Sequence, residues 1–239
     1  MKPLADIIVP VFNERENLPD FLARLRALKQ FPAWRLTIID NASTDGSVEY
    51  LREQRDVNLV EHRKNEGYGA SLREGIAITE AEHIVIIDAD CEYPPEAIPQ
   101  LLQVLQESNV VYASRFLQKH NADHAGMPFF KWLGNRMISG LFNVLFDQKT
   151  TDLYTGCKAM RRQCLRNVKL HRDGFEHVLE LAVQLSQRGY HIAEIPVDFS
   201  PRRAGVSKMS HAGETLKYLF WLLVFRVQGF WSAAPGKSA

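Results

Sequence analysis

The sequence has little net charge, few cysteines and no apolar run long enough to cross a membrane. Its 29 basic and 28 acidic residues give a net charge of +1, so there is no general electrostatic reason to bind nucleic acid. The three cysteines have neither CxxC nor metal-ligand spacing, which indicates a reducing compartment and no disulfide framework. The uncharged core of the C-terminal apolar run, Tyr218 to Phe225, has eight residues, whereas a membrane-spanning helix needs about 20.

The N-terminus lacks the charged-then-apolar pattern of a secretion signal and runs directly into a strand-like segment. We therefore expect a cytoplasmic protein. The hydrophobic fraction of 46% and the charged fraction of 24% are those of an average globular protein. At 239 residues, the chain is expected to form one domain with additions.

What the first half of the chain does contain is a regular alternation of short apolar runs and stretches of helical periodicity. The apolar runs end near Phe12, Asp40, Val60, Asp88 and Ser114. Continuous apolar strands separated by helices imply a parallel sheet that is covered on both faces. The predicted fold class is therefore α/β, with a doubly wound, mostly parallel sheet.

Polar residues follow the ends of four of these predicted strands. They are Asn13-Glu14, Asp40-Asn41, Asp88-Ala89-Asp90 and Ser114-Arg115. In open α/β sheets, ligands bind outside the carboxyl ends of the strands. Because the four polar ends are expected at one edge, the sequence predicts the functional site there.

The most informative of these ends is the triplet Asp88-Ala89-Asp90, which directly follows a buried strand. Two carboxylates at positions i and i+2 beyond a strand end can share a divalent cation, Mg²⁺ or Mn²⁺, with phosphate oxygens of a substrate. Glu92 is a candidate third ligand. The triplet therefore predicts a site for a metal-bound diphosphate.

Three stretches together, Val9–Glu14, Ile38–Ser47 and Asp88–Asp90, resemble the inverting glycosyltransferases of family 2, which have the GT-A fold. Two later stretches, Thr151–Lys158 and Arg202–Lys208, resemble the branch of dolichol-phosphate mannose synthases and polyprenyl-phosphate glycosyltransferases. The resemblance extends over most of the chain. It implies a GT-A type sheet with interfacial amphipathic helices and an enzyme that transfers a hexose.

For the donor, the resemblance implies a GDP- or UDP-linked sugar and a divalent cation, Mg²⁺ or Mn²⁺, held by Asp88, Asp90 and Glu92. The residues that it assigns to the donor are Pro10, Val11, Asn13, Glu14, Asp40, Asp88, Ala89, Asp90, Arg202, Ser207 and Lys208. The predicted catalytic residues are Asp88, Asp90, Arg202 and Lys208. Metal and positive side chains stabilise the charge that grows on the departing nucleoside diphosphate.

For the acceptor, the resemblance implies a polyprenyl phosphate, either dolichyl or undecaprenyl phosphate. A phosphate monoester with a second pKa of about 6 is already ionised at pH 7 and needs no general base. The predicted acceptor-binding residues are Arg115, Arg136, Ser139 and Asp152. A saccharide or protein hydroxyl stays open as an alternative acceptor, and it would require Glu176, Glu180 or Asp152 as the base.

Two apolar stretches are predicted to form amphipathic helices that lie in a membrane interface. The predicted division is a catalytic domain at 1–210, which includes the acceptor and membrane-side segment 127–146, then a C-terminal helix at 211–232 and a disordered tail at 233–239. We therefore expect a peripheral protein on the cytoplasmic face of a membrane, with a membrane-anchoring partner or a second copy as further partners. Ordinary core or dimer helices are the alternative.

Two other functional classes are weaker fits. A sugar-phosphate nucleotidyltransferase would carry a glycine- and lysine-rich loop after the first strand, where this chain has Asn13-Glu14-Arg15-Glu16. A non-catalytic protein that binds nucleotide sugars would not need the intact acidic triplet at Asp88–Asp90.

Overall fold

A computed structural model of the chain describes residues 2–117, 129–198 and 211–232. Seven strands in these ranges form one sheet: β1 (Ala5–Val11), β2 (Trp34–Asp40), β3 (Val57–Glu61), β4 (His83–Ile87), β5 (Val110–Ser114), β6 (Cys157–Arg161) and β7 (Ile192–Pro196). The α-helices are α1 (Leu18–Arg26), α2 (Ser47–Arg52), α3 (Tyr68–Ala77), α4 (Ile98–Val104), α5 (Phe129–Phe146), α6 (Glu176–Gln187) and α7 (His211–Ser232). Short 3-10 helices occupy Phe31–Ala33, Pro95–Ala97 and Arg162–Leu165.

The strand order across the sheet is β3-β2-β1-β4-β6-β5-β7. Strand β6 is antiparallel to both β4 and β5, and the other neighbouring pairs are parallel. This confirms the predicted α/β class with a mostly parallel sheet. The sequence did not predict β6 and β7 because a charged residue, Lys158 in β6 and Glu194 in β7, interrupts the continuous apolar run that indicates a buried strand.

Helices cover both faces of the sheet, as apolar strands require. Helices α1, α2 and α4 bury their apolar side chains against one face, and α3, α5, α6 and α7 bury theirs against the other. In α1 the buried residues Leu18, Phe21, Leu22 and Leu25 follow the spacing of one helical face. The two cores thereby hold the carboxyl ends of β1, β2 and β4 side by side.

Helices α5 and α7 pack against each other and contribute to the core through one face each. Phe142 of α5 and Leu222 of α7 are fully buried. Each helix also has apolar residues on its outer face, and the exposed ones are Phe129, Met137, Val144, Phe220, Leu223 and Val227. No helix in the described ranges is both long and apolar enough to cross a membrane. Both helices therefore pack one side into the core and expose apolar residues on the other. We call this exposed apolar surface the α5/α7 face.

Candidate active site

A cavity of about 370 Å³ opens at the carboxyl ends of β1 and β4. The predicted residues that line it are Pro10, Val11, Glu14, Asp88, Ala89, Asp90, Glu92 and Arg115. Of the other predicted residues within the described ranges, Asn13, Asp40, Arg136, Ser139 and Asp152 do not line it. The strand ends thus meet as expected, and the walls are completed by parts of α3, α5, α6 and α7.

Asn13 and Asp40 hold the loops after β1 and β2 together behind the cavity. Asn13 adopts a left-handed φ of 55°, which asparagine tolerates better than most residues. Its N–H donates to Ser43 Oγ at 2.9 Å, and its Oδ1 accepts from the Thr44 N–H at 2.8 Å. Asp40 Oδ2 accepts from the Ser43 N–H at 2.9 Å, whereas Oδ1 is buried without a hydrogen-bond partner among the described residues. Its contact with a nucleobase stays a prediction, and Oδ1 is the atom that would accept from a ring N–H.

The carboxylate of Asp88 is fixed from two sides. Its Oδ1 accepts from the Tyr68 hydroxyl at 3.0 Å. On the other side, a Cβ atom added at Gly156 would lie 2.2 Å from Asp88 Oδ2, so that glycine leaves room for the carboxylate in this orientation and a larger residue would displace it. Asp90 Oδ1 accepts from the Glu92 N–H at 3.0 Å, which orders the turn that carries both aspartates.

Two carboxylates at the cavity wall suit a hard divalent cation that takes its remaining ligands from water and from a substrate diphosphate. Asp88 and Asp90 supply this donor set, and the space at Gly156 is shaped to the Asp88 carboxylate. No cluster of three acidic, histidine or cysteine side chains that could hold a metal occurs in the described part of the chain. The third predicted ligand, Glu92, has Oε2 at 4.0 Å from Arg115 Nη1, and its metal contact stays a prediction.

Arg115 and Asp152, both predicted to bind the acceptor, form a buried ion pair with each other. Arg115 Nε and Nη2 donate to the two carboxylate oxygens of Asp152 at 2.7 and 2.9 Å, and Asn135 Nδ2 donates to Asp152 Oδ1 at 3.0 Å. Burial alone would raise the pKa of Asp152, but the charge and hydrogen bonds of Arg115, together with Asn135, lower this pKa below its ordinary value. Arg115 reaches the cavity wall in an orientation that Asp152 sets.

Helix α5 lines the cavity with residues other than the predicted Arg136 and Ser139. The residues that line the cavity are Lys131, Gly134, Asn135 and Ile138, at the i, i+3, i+4 and i+7 spacing of one helical face. Arg136 is exposed and lies off this face. Ser139 is buried, donates to Asn135 Oδ1 at 3.1 Å and accepts from the Leu153 N–H at 3.1 Å.

Lys131 and Asn135 were not predicted from the sequence. The signal that would have found them is the helical spacing from the predicted Ser139, since Asn135 lies four residues earlier and Lys131 eight residues earlier. The acceptor roles of Arg136 and Ser139 stay predictions, and Lys131 is the cation of α5 that lines the cavity.

Lys158 of β6 and His177 of α6 lie beneath the cavity, and both are fully buried. Burial lowers the pKa of Lys158 to about 8, while the negative charge of Asp88 acts to raise it. Burial, together with the charges of Lys158 and Arg73, lowers the pKa of His177 to about 3. At neutral pH the site therefore contains a buried ammonium group and a neutral imidazole.

The two glutamates considered as bases for a hydroxyl acceptor are bound to other groups. Glu180 is buried and accepts from the backbone N–H groups of His171 and Arg172 at 2.9 to 3.0 Å. Glu176 forms an ion pair with Lys217 of α7. The remaining predicted residues, Arg202, Ser207 and Lys208, lie outside the described ranges. Their proposed contacts with the departing nucleoside diphosphate stay predictions.

The chain is similar to known proteins in both sequence and structure. The model of the family "Glycosyl transferase family 2" matches residues 6–169. A dolichol-phosphate mannosyltransferase of Pyrococcus furiosus is 25% identical over 88% of this chain and 60% of its own length. An undecaprenyl-phosphate mannosyltransferase of Micrococcus luteus is 29% identical over 85% of this chain and 86% of its own length. The chain thus spans about three fifths of the first relative and most of the second.

Among solved structures, glucosyl-3-phosphoglycerate synthase of Mycobacterium tuberculosis in complex with UDP superposes with a TM-score of 0.71. It is 16% identical and covers 94% of this chain and 80% of the synthase chain. The same synthase with Mn²⁺, UDP and phosphoglyceric acid gives a TM-score of 0.72 at 17% identity, over 94% of this chain and 78% of the synthase. These likenesses confirm the predicted GT-A fold, and the family match over residues 6–169 shows that the chain belongs to glycosyl transferase family 2.

Proposed function

We propose that this chain is a metal-dependent, inverting glycosyltransferase that moves a sugar from a nucleoside-diphosphate donor to a polyprenyl phosphate. Support for the acceptor comes from the relatives named as dolichol-phosphate and undecaprenyl-phosphate mannosyltransferases. Support for the donor and cation comes from the similar fold of a synthase solved with Mn²⁺ and UDP-glucose. The paired carboxylates of Asp88 and Asp90 at the cavity wall are consistent with both.

The observation that carries this proposal concerns the three carboxylates that could act as the base for a hydroxyl acceptor. Each of them is already bound to another group of the protein. Asp152 is paired with Arg115 and has a lowered pKa, which makes it a weaker base. Glu180 accepts hydrogen bonds from backbone N–H groups, and Glu176 is paired with Lys217. A hydroxyl needs such a base to become nucleophilic, whereas a phosphate monoester carries its own negative charge.

In the proposed reaction, an oxygen of the acceptor phosphate attacks the anomeric carbon of the sugar. The new carbon–oxygen bond forms as the bond to the diphosphate breaks, and the nucleoside diphosphate leaves with the electron pair, so no proton has to be removed. Lys131 and Arg115 are the cavity-lining cations that would hold the acceptor phosphate. The divalent cation, when bound at Asp88 and Asp90, supplies positive charge to the leaving diphosphate, together with Arg202 and Lys208.

The lipid chain of the acceptor requires an apolar surface next to the phosphate position. Ile138, Phe175, Val178 and Tyr218 provide apolar lining on the α5, α6 and α7 side of the cavity. The α5/α7 face adds exposed apolar side chains on two of the helices that line the cavity, such as Val144, which is 83% exposed. We propose that this face rests on the cytoplasmic surface of a membrane, either alone or with an anchoring partner or a second copy.

The test is sugar transfer by the purified chain in detergent with Mn²⁺ or Mg²⁺. A panel of GDP- and UDP-linked sugars is offered with a polyprenyl phosphate, and in parallel with the matching polyprenol, which lacks the phosphate. Glycolipid that forms only from the phosphate and only with metal, detected by mass, is the expected result. Asp90→Asn serves as the inactive control.

Transfer to the polyprenol or to a soluble saccharide at a similar rate would refute the phosphate acceptor and favour a hydroxyl. Release of pyrophosphate from a sugar phosphate and a nucleoside triphosphate would instead identify a nucleotidyltransferase. Donor binding without turnover on any acceptor would refute the proposed transfer.

A further inference from the structure

The side chain of Lys158 is the unusual feature of the sheet, because a lysine is rarely buried completely. It is 0% exposed and lies in the middle of the sheet, where β6 pairs with β4 on one side and with β5 on the other. Its Nζ has no hydrogen-bond partner among the described residues. An isolated ammonium group in such a place costs several kcal/mol unless nearby negative charge offsets it.

The register of the sheet shows which carboxylate provides that charge. Lys158 lies directly opposite Ile86 of β4, and the Asp88 N–H donates to the Gly156 carbonyl at 3.2 Å. Side chains two residues apart in a strand share one face, so Lys158, Ile86 and Asp88 are on the same face of the sheet. Asp88 is therefore the diagonal neighbour of Lys158, at a distance that long side chains reach.

Two details of this face favour an interaction between the two charges. Gly156 has no side chain that could separate Lys158 from Asp88, and the Asp88 carboxylate occupies the space that a Cβ would take there. On the other side, the Tyr112 ring lies 5.1 Å from Lys158 Nζ and forms an apolar boundary with a weak cation–π attraction. The charge of Lys158 is thus screened little by water and acts on the Asp88 carboxylate first, with Asp152 as a second negative charge nearby.

We propose that Lys158 is a positioning residue that serves as the counter-ion of Asp88, so that the site binds a divalent cation weakly until a nucleoside diphosphate is present. This inference rests on the proposed function, in which Asp88 helps to hold the metal and the donor. A fixed positive charge beneath the site repels a divalent cation and attracts a diphosphate. The donor brings the negative charge that makes metal binding favourable. The donor is therefore expected to bind before the metal or together with it.

The charge of Lys158 therefore has opposite effects on the two ligands, and a merely structural role would not produce them. Lys158→Met removes the charge and keeps the length and apolar character of the side chain. We expect this variant to bind Mn²⁺ at least tenfold more tightly without nucleotide, which corresponds to about 1.4 kcal/mol. We expect it to bind UDP or GDP several-fold more weakly when no metal is added.

The experiment measures Mn²⁺ binding by electron paramagnetic resonance and UDP or GDP binding by calorimetry, both at pH 7 with the full chain. Lys158→Arg, which keeps the charge, should resemble the wild type. Lys29→Met, which removes an exposed charge in the turn after α1, is the matched control and should change neither affinity. Equal affinities in the wild type and Lys158→Met, or shifts in the same direction, would overturn the inference.

A measurement of stability without metal or nucleotide keeps the inference testable if Lys158→Met folds poorly. Asp88→Asn leaves Lys158 without its counter-ion and is expected to lower the melting temperature by about 4 °C or more, and Lys158→Met in the same chain should restore it. Additive losses in the double variant would overturn the pairing of Lys158 with Asp88. If the wild-type chain binds neither Mn²⁺ nor a nucleoside diphosphate, but the double variant still regains its melting temperature, the pairing of Lys158 with Asp88 stands. That outcome would refute the proposed function instead.

Discussion

Replacing Asp152 with asparagine is expected to destabilise the fold, because it leaves the Arg115 guanidinium buried without its counter-charge. The two side chains are joined by hydrogen bonds of 2.7 and 2.9 Å, and the Arg115 N–H adds a third at 3.2 Å. Removing one partner of a buried ion pair costs about 3–5 kcal/mol. Asparagine keeps one oxygen that can accept a hydrogen bond, so we expect a loss of about 3 kcal/mol, at the lower end of this range.

Thermal unfolding at pH 7 measures this loss. For a chain of this size, each kcal/mol shifts the melting temperature by about 2–4 °C, so Asp152→Asn should melt roughly 6–12 °C below the wild type. Asp147→Asn is the matched control, since Asp147 is exposed just beyond α5 and its left-handed φ of 51° suits asparagine. A melting temperature of Asp152→Asn close to that of this control would refute the account of Arg115 as a residue oriented by Asp152.

The ion pair between Arg115 and Asp152 should also make the stability of the fold depend on pH. Burial opposes ionisation of Asp152, but Arg115 and Asn135 lower its pKa in the folded state. A carboxyl group with a lowered pKa adds stability above its unfolded pKa of about 3.9, and this stability is lost as the pH falls through the folded pKa. The difference in melting temperature between the wild type and Asp152→Asn should therefore be full at pH 7 and smaller at pH 3. An undiminished difference at pH 3 would contradict the ion pair as its cause.

Three further replacements test the site and its surroundings. Gly156→Ala places a methyl group 2.2 Å from Asp88 Oδ2, so it should raise the Mn²⁺ concentration for half-maximal transfer at least tenfold; an unchanged metal titration would contradict the role of this glycine. Lys131→Ala should raise the KM for polyprenyl phosphate more than Arg136→Ala does, with the donor KM unchanged, because only Lys131 of the two lines the cavity; the reverse order would restore Arg136 as the acceptor cation. Leu223→Glu, on the α5/α7 face, should weaken sedimentation with anionic lipid vesicles, and equal sedimentation would argue against membrane contact through this face.

In four of the five strands that the sequence predicted, local and global signals agree, whereas the fifth, β3, is only partly buried. Strands β1, β2, β4 and β5 each contain a continuous buried apolar run, and polar residues follow each of them. The triplet at Asp88 was therefore placed at the cavity from sequence alone. The later strands carry charged residues inside the sheet, such as Lys158 in β6, and no local pattern distinguishes a buried lysine from one in a surface loop.

The acceptor side was harder to predict because it depends on contacts between distant segments. Arg115 and Asp152 are 37 residues apart, and nothing in either segment indicates that each is the partner of the other. The orientation of α5 is set by its packing against α7 and the sheet, which turns Lys131 to the cavity and Arg136 to the surface. A sequence shows that a helix is amphipathic, but the neighbouring helices decide which polar residues border the core.

The pairing of Arg115 with Asp152 also bears on how the proposed acceptor phosphate would remain reactive. A cation that binds a phosphate tightly lowers the electron density on its oxygens and weakens it as a nucleophile. Asp152 takes two of the Arg115 donors, and Glu92 Oε2 lies 4.0 Å from Nη1, so the net positive charge that Arg115 offers to the cavity is reduced. An arginine held in this way can orient a phosphate without neutralising it, which is what direct attack by a phosphate oxygen requires and what a hydroxyl acceptor would not need.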